Sequence, residues 1–245
     1  MGDVAKSGPE QAVLALLKVY DGFVRTEDQQ GNIVVVGPYS LDAVHDNIRL
    51  AEDFKLQMTI SADYPNSLPR VKEVSRIIDR KYEHLYSDGT FCLGIHGELL
   101  LAQLENPSLV AFLDGPVRSY LYSYLFHERY QRYPFGDRAH GMRGILEYYG
   151  EVFEESEPTA IVRLLSAVCS SKYRGHLPCP CGSGLIARKC HGSTILELKK
   201  HGASDAFAYD LETVRNEVVC RGCATKLRSQ MSRLISDGAA REYLA

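Results

Sequence analysis

Three cysteines and one histidine lie close together in the sequence, at Cys179, Cys181, Cys190 and His191. Three thiolates and one imidazole complete the tetrahedral shell that zinc adopts in structural sites. Pro180 and the Gly-Ser-Gly run that follows allow the backbone to fold tightly, with its amides directed at the sulfurs. Because protein atoms fill all four positions, no position is left for an activated water. The sequence therefore predicts a structural zinc, and unligated core cysteines are the alternative.

This cysteine and histidine pattern resembles the SEC-C zinc motif, which occurs at the end of the preprotein-translocation ATPase and on many bacterial proteins. In that motif Cys-x-Cys-Gly-Ser-Gly and a later Cys-His bind zinc. The resemblance implies a small adaptor or recognition module. It implies binding and not catalysis.

The remaining cysteines leave a second metal site open. The chain has seven cysteines, an odd number, and their close pairs suit metal binding in a reducing compartment better than a disulfide framework. Cys220 and Cys223 lie three residues apart in a predicted helix and supply half a site. Cys169, His176 or His201 would have to complete it, and a reduced, half-buried pair is the alternative.

The composition is typical of a folded protein and lacks the excess of basic residues that nucleic-acid binding requires. The chain has 245 residues, of which 45% are hydrophobic, and its formal net charge is -3. We expect a cytoplasmic protein without membrane insertion, because the apolar runs fall far short of the ~20 residues that span a bilayer. A zinc-dependent nucleic-acid binder is a disfavoured alternative. It would depend on six basic residues: Lys172, Arg174, Arg188, Lys189, Lys199 and Lys200.

The first third of the chain predicts one helix followed by an antiparallel meander. Apolar residues at helical spacing indicate an amphipathic helix over roughly 9–25. Residues 33–36, 54–61 and 71–78 have the composition or alternation of strands. Breaks between the first two strands are expected at 37–38 and 46–47.

From residue 107 onward the pattern predicts helices. Apolar residues recur at three- and four-residue steps over 109–125, and helices are also predicted over 144–153 and 159–169. Asp114-Gly115-Pro116 is expected to interrupt the first of these, and the acidic stretch 154–158 resembles a linker. The predicted fold class is α+β. The predicted domains are 1–157, with a helix, a meander and C-terminal helices, and 158–245, a small helical zinc-binding domain.

A cysteine follows a turn glycine at Gly89-Thr-Phe-Cys92-Leu, and a histidine, His84, precedes it. Upstream, Tyr64-Pro65 and Pro69 form a double-proline segment suited to a flap. This order of elements resembles the ubiquitin-conjugating enzymes, over roughly 9–153. The alternative for the cysteine is a small apolar filler.

The stretch 133–149 is similar to the tails of bacterial ubiquitin-conjugating-like proteins from ubiquitin-like and antiviral defence operons. The resemblance implies a transferase in which Cys92 accepts a ubiquitin-like protein from an activating enzyme as a thioester. The acyl group then passes to an amine on a protein or a lipid. The alternative is a catalytically silent binding or adaptor module with the same fold and a zinc-stabilised interaction domain.

The residues that assist Cys92 are less well defined than the thiol. In the resembled family an asparagine after the histidine stabilises the oxyanion, and here no asparagine follows His84. Candidate donors are Ser87, the imidazole of His84 and the backbone amides around Cys92. His140 is a candidate base or donor, with Asp137 as an alternative acid or base. A structural role is the alternative for each histidine.

Overall fold

The computed structural model describes residues 8–135, 141–200 and 204–220. The described residues divide into two compact units. The first unit holds 8–94 and 102–135, and the second holds 95–101, 141–200 and 204–220. The chain therefore enters the second unit briefly before it completes the first.

The first unit begins with helix α1, Pro9–Val19, whose apolar face is buried through Ala12, Val13 and Leu16. The predicted helix is confirmed, but it ends before residue 25 because a turn at Asp21-Gly22 leads into strand β1, Val24–Glu27. Gly22 suits this turn, since a Cβ atom there would lie 2.8 Å from Cγ of Pro38.

Strands β2, Ile33–His45, and β3, Ile48–Ile60, form a long hairpin closed at Asp46-Asn47, where both residues have positive φ angles. The break expected at 37–38 is wrong, because β2 continues through Pro38, which lies opposite Lys55. In this register the pair is a non-hydrogen-bonded one, so the missing N–H of proline costs no bond to β3.

Strand β4, Arg70–Glu73, completes an antiparallel sheet of order β1-β2-β3-β4. It is shorter than the predicted strand over 71–78. The carboxylate of Glu73 accepts hydrogen bonds from the amides of Ser75, over 2.5 Å, and Ile77, over 2.9 Å, and so turns the chain away from the sheet.

Helix α2, His96–Glu105, follows the cysteine-bearing segment and was not predicted. Further on, α3, Leu109–Phe112, and α4, Arg118–Tyr130, are joined by a π-helical turn, Leu113–Val117. The predicted interruption at Asp114-Gly115-Pro116 is therefore a local widening of one helical run. Helices α1, α3 and α4 and the π-helical turn cover the sheet around one apolar core.

The second unit is helical. Its elements are α5, Gly141–Phe153; α6, Pro158–Cys169; a 3-10 turn, Ala187–Lys189; α7, Gly192–Lys200; and α8, Ser204–Cys220. The predicted boundary near 157 divides the chain differently, because α5 packs on α6 and α8. None of the described helices has both the length and the apolar character needed to cross a bilayer.

Asp210, on α8, is a carboxylate that is only 1% exposed. Its Oδ2 atom accepts hydrogen bonds from the amide of Gly97 and the hydroxyl of Tyr149, each over 2.8 Å. Burial raises the pKa of Asp210, and these bonds oppose that shift. A Cβ atom at Gly97 would lie 2.2 Å from the Tyr149 hydroxyl, so glycine is required there. These contacts fix residues 95–101 within the second unit.

Candidate functional site

Cys92 lies at the base of a short antiparallel hairpin in the first unit. Leu85 and Phe91 form an isolated β-bridge, and the amide of Cys92 donates to the carbonyl of His84 over 2.9 Å. This register puts the backbone of His84 directly opposite that of Cys92. Cys92 is half-buried. The fold therefore places the predicted nucleophile beside the backbone of the nearer predicted histidine.

Ser87 lies in the turn that closes this hairpin. The amide of Gly89 donates to the carbonyl of Tyr86 over 2.8 Å, and the φ angle of 83° at Gly89 favours glycine. Asp88 accepts bonds from the amide and the hydroxyl of Thr90, each over 2.9 Å, and the amide bond above all lowers the pKa of Asp88 to about 2. Ser87 is exposed at the tip of the hairpin and does not lie opposite the thiol.

The His84 ring packs within an aromatic cluster. Its centroid lies 5.2 Å from that of Tyr82 and 5.0 Å from that of Tyr133. The hydroxyl of Tyr120 donates to the His84 carbonyl over 3.1 Å, and the Tyr120 ring stacks on Phe91 with centroids 4.3 Å apart. The sequence did not identify these tyrosines as neighbours of His84, because they come from separate segments and have no shared local pattern.

Two backbone amides beside the thiol are already committed. The amide of Cys92 bonds to His84, and the amide of Phe91 donates to the carbonyl of Val71 over 2.9 Å. Neither amide can donate a hydrogen bond to an oxyanion in this conformation. The amides of Phe91 and Cys92 are therefore removed from the predicted oxyanion donors. His140 and Asp137 lie outside the described residues.

The second candidate centre lies in the second unit, where the ligand atoms of Cys179, Cys181, Cys190 and His191 all lie within 4.8 Å of one another. The sulfurs of Cys181 and Cys190 are 3.7 Å apart, and Nδ1 of His191 is 3.4 Å from the Cys179 sulfur and 3.3 Å from the Cys190 sulfur. Tetrahedral zinc gives ligand separations of about 3.8 Å between two sulfurs and about 3.5 Å between sulfur and nitrogen. The group can therefore hold a metal ion, and its geometry is compatible with zinc.

A tight hairpin positions the first two ligands. The amide of Cys179 donates to the carbonyl of Leu185 over 2.6 Å, and the amide of Gly182 donates to the carbonyl of Cys179 over 3.0 Å. Burial raises the pKa of Cys179 to about 11. Burial opposes ionisation of Cys181 as well, but hydrogen bonds from the hydroxyl and amide of Ser183 contribute to lowering its pKa to about 6. A bound cation would favour the thiolate form of every cysteine in the group.

A backbone carbonyl on the side of the ring opposite the sulfurs orients the His191 imidazole. Its Nε2 atom lies 3.0 Å from the carbonyl oxygen of Phe153, the last residue of α5. If Nε2–H donates to this carbonyl, the lone pair of Nδ1 faces the three sulfurs. The last carbonyls of a helix have no partner within the helix, so a predicted helix end indicates that such a carbonyl is available as an acceptor. That the donor here is His191 depends on the tertiary fold.

The second predicted metal site stays a prediction. Cys220 is the last residue of α8, whereas Cys223 and His201 lie outside the described residues. Within the described ranges, the only cysteine and histidine cluster suited to a metal is the group around Cys179.

Comparisons with known proteins add a distant likeness in structure. No family model and no curated protein matches the sequence. Among solved structures, the chain is similar to the UEV domain of yeast vps23, determined in complex with a vps27 PSDP peptide. The identity is 17%, the match covers 49% of this chain and 85% of that chain, and the TM-score is 0.32. A likeness at this level does not assign a family.

Proposed function

We propose that this protein is an acyl carrier of the ubiquitin-conjugating type, acting in a bacterial conjugation system of antiviral defence. Cys92 accepts the C-terminal carboxyl group of a ubiquitin-like protein from an activating enzyme and passes it to an amine of a protein or lipid. The supporting observation is a half-buried thiol opposite His84. The surrounding order of helix, meander and helices is that of the resembled family.

In the proposed reaction, the acyl group moves from the thiol of the activating enzyme to Cys92, which replaces one thioester by another. It then moves to an amine, which forms an amide. The Cys92 thiolate attacks the thioester carbonyl carbon, a new carbon–sulfur bond forms, and the thiol of the activating enzyme leaves with its electron pair. An amine then attacks the same carbon, Cys92 leaves as thiolate, and the amine proton passes to a base. His84 is the nearest candidate to donate a hydrogen bond to the tetrahedral oxyanion, and His140 is the candidate base.

Incubation with the activating enzyme, ATP and the ubiquitin-like partner should give an adduct that is sensitive to thiols on a non-reducing gel. Cys92→Ala should abolish it, because the acyl group then has no sulfur to join. Cys169→Ala, at a half-buried cysteine of the second unit, is the matched control and should keep the adduct. An adduct that forms equally well on Cys92→Ala would exclude Cys92 as the carrier.

A binding or adaptor module is the second candidate. It is favoured by the packing of the His84 ring between Tyr82 and Tyr133, which suits a structural histidine, and by the missing asparagine. Alkylation separates the two functions. A Cys92 thiol that reacts with iodoacetamide in the folded protein favours the carrier, and an inert thiol favours the adaptor.

We also propose that the ion at Cys179, Cys181, Cys190 and His191 is a structural zinc, and that the surrounding unit recruits a target or an operon partner. The purified protein should contain about one equivalent of zinc by mass spectrometry, because one complete ligand set is assembled. Cys190→Ala should lose it and Cys92→Ala should keep it. Two equivalents would add Cys220 and Cys223 to the ligands.

A further inference from the structure

A pocket lies in the first unit against the hairpin that carries Cys92. Its lining includes three basic side chains and an apolar floor: Lys72, Arg76, Arg80, Ile78, Leu85 and Phe91. Leu85 and Phe91 line the pocket, whereas Cys92 does not. An occupant of the pocket would therefore leave the thiol uncovered.

The carboxylates near this pocket are already engaged. Glu73, in the lining, accepts the amides that end β4. Asp88 forms ion pairs with Arg70 and, over 3.4 Å, with Lys72, whose Nζ also donates to the Asp88 carbonyl over 2.9 Å. These bonds engage Lys72, and the guanidinium groups of Arg76 and Arg80 are the other two basic groups of the lining.

Arg76 and Arg80 are exposed, and neither forms an ion pair with any residue of the described ranges. The backbone of Arg76 has a φ angle of 69°, which non-glycine residues rarely adopt. Arg80 lies over the hairpin turn, since a Cβ atom at Gly89 would be 2.5 Å from its Nη1. Glycine at position 89 thus allows a guanidinium to approach the floor of the pocket.

We infer that this pocket binds an acidic peptide segment of a partner protein, with a carboxylate on Arg76 and Arg80 and a neighbouring apolar side chain on the floor. Guanidinium groups bind carboxylates through paired, charge-assisted hydrogen bonds. The floor residues Ile78 and Phe91 are 6% and 3% exposed. Their apolar side chains have no hydrogen-bond donor for a phosphate ion but can contact an apolar side chain. The volume of about 240 Å³ is below the ~300–1,000 Å³ of small-molecule sites, which favours peptide side chains over a cofactor. The inference does not depend on chemistry at Cys92.

The test is fluorescence anisotropy with a rhodamine-labelled peptide of alternating glutamate and leucine and the full-length protein. Arg76→Gln and Arg80→Gln should each weaken binding about tenfold, because each removes a charge-assisted bond. Raised salt should weaken binding to the wild type more than to either variant. Arg49→Gln, which removes an exposed arginine paired with Asp42 on the β2–β3 hairpin, should leave the affinity unchanged.

Three results would overturn this inference. Equal affinities of the wild type and both glutamine variants for the peptide would show that Arg76 and Arg80 do not bind it. Equal binding of a glutamine–leucine peptide would make the surface an apolar groove. Displacement of the peptide by inorganic phosphate at matching concentrations would make it a general oxyanion site. Circular dichroism of each variant separates loss of binding from loss of folding, and Arg80→Lys should recover part of the affinity.

Discussion

Removal of the metal is expected to unfold the second unit while the sheet of the first unit stays folded. Structural zinc binds small domains with an apparent free energy of about 10–16 kcal/mol, which matches or exceeds the ~5–15 kcal/mol that stabilises a whole domain. The ligand group joins the hairpin at Cys179 to Cys190 and His191, which lie directly before α7. Without the ion, these segments lose the bond that closes them.

Hydrogen exchange with mass spectrometry checks this result. Addition of a chelator should remove amide protection from 158–200 and leave β2 and β3 protected. Cys190→Ser should reproduce the loss without chelator, because a serine hydroxyl is a poor zinc ligand. Cys169→Ser, a cysteine of the same unit outside the ligand group, is the matched control and should retain protection. Unchanged exchange in 158–200 after the ion is removed would show that the metal is not structural.

Gly97→Ala is expected to destabilise the second unit by about 3 kcal/mol or more. Helix propensity alone predicts the opposite sign, since alanine is up to about 1 kcal/mol better than glycine inside a helix. The new methyl group would meet the Tyr149 hydroxyl at 2.2 Å and Oδ2 of Asp210 at 2.8 Å. Overpacking costs about 1–3 kcal/mol, and loss of a bond to the buried carboxylate costs about 1.5–3 kcal/mol more. The steric term therefore decides the outcome.

Denaturant unfolding followed by exchange in α8 measures this effect. Gly115→Ala is the matched control, because a Cβ atom there meets nothing within 4 Å. Tyr149→Phe in the Gly97→Ala background should recover part of the lost stability, since it removes the atom at 2.2 Å. A Gly97→Ala protein as stable as the wild type would mean that 95–101 are not held by Asp210.

The clustering of Cys179, Cys181, Cys190 and His191 was predictable because these residues are close together in the sequence. Two of the four lie on one hairpin and the other two are adjacent residues shortly after it, and the short spacing of Cys179 and Cys181 restricts the backbone before any tertiary contact forms. The sheet was predictable in outline from alternating apolar residues. The predicted break at 37–38 was wrong. A proline within a strand costs a hydrogen bond only if its nitrogen faces the neighbouring strand, and the direction in which the Pro38 nitrogen faces is set by the strand register, which the sequence does not show.

The surroundings of Cys92 could be predicted only in part. The turn glycine and the cysteine are adjacent in sequence, so the hairpin has a local signal. The aromatic cluster on His84 has none, because Tyr82, Tyr120 and Tyr133 meet only after α4 packs on the sheet. The same is true of Gly97 and Asp210, whose hydrogen bond joins segments far apart in the chain.

Residues 95–101 belong to the second unit although they lie between two segments of the first. A single genetic join near residue 157 could not transfer the candidate metal centre together with all the residues that support it. The transferred piece would lose Gly97, the donor to Asp210, and Phe153, whose carbonyl faces His191. Such a recombinant would bury a carboxylate without its donor and leave the ligand imidazole without its support. We therefore expect the two units to be gained and lost together in evolution, unlike domains joined end to end.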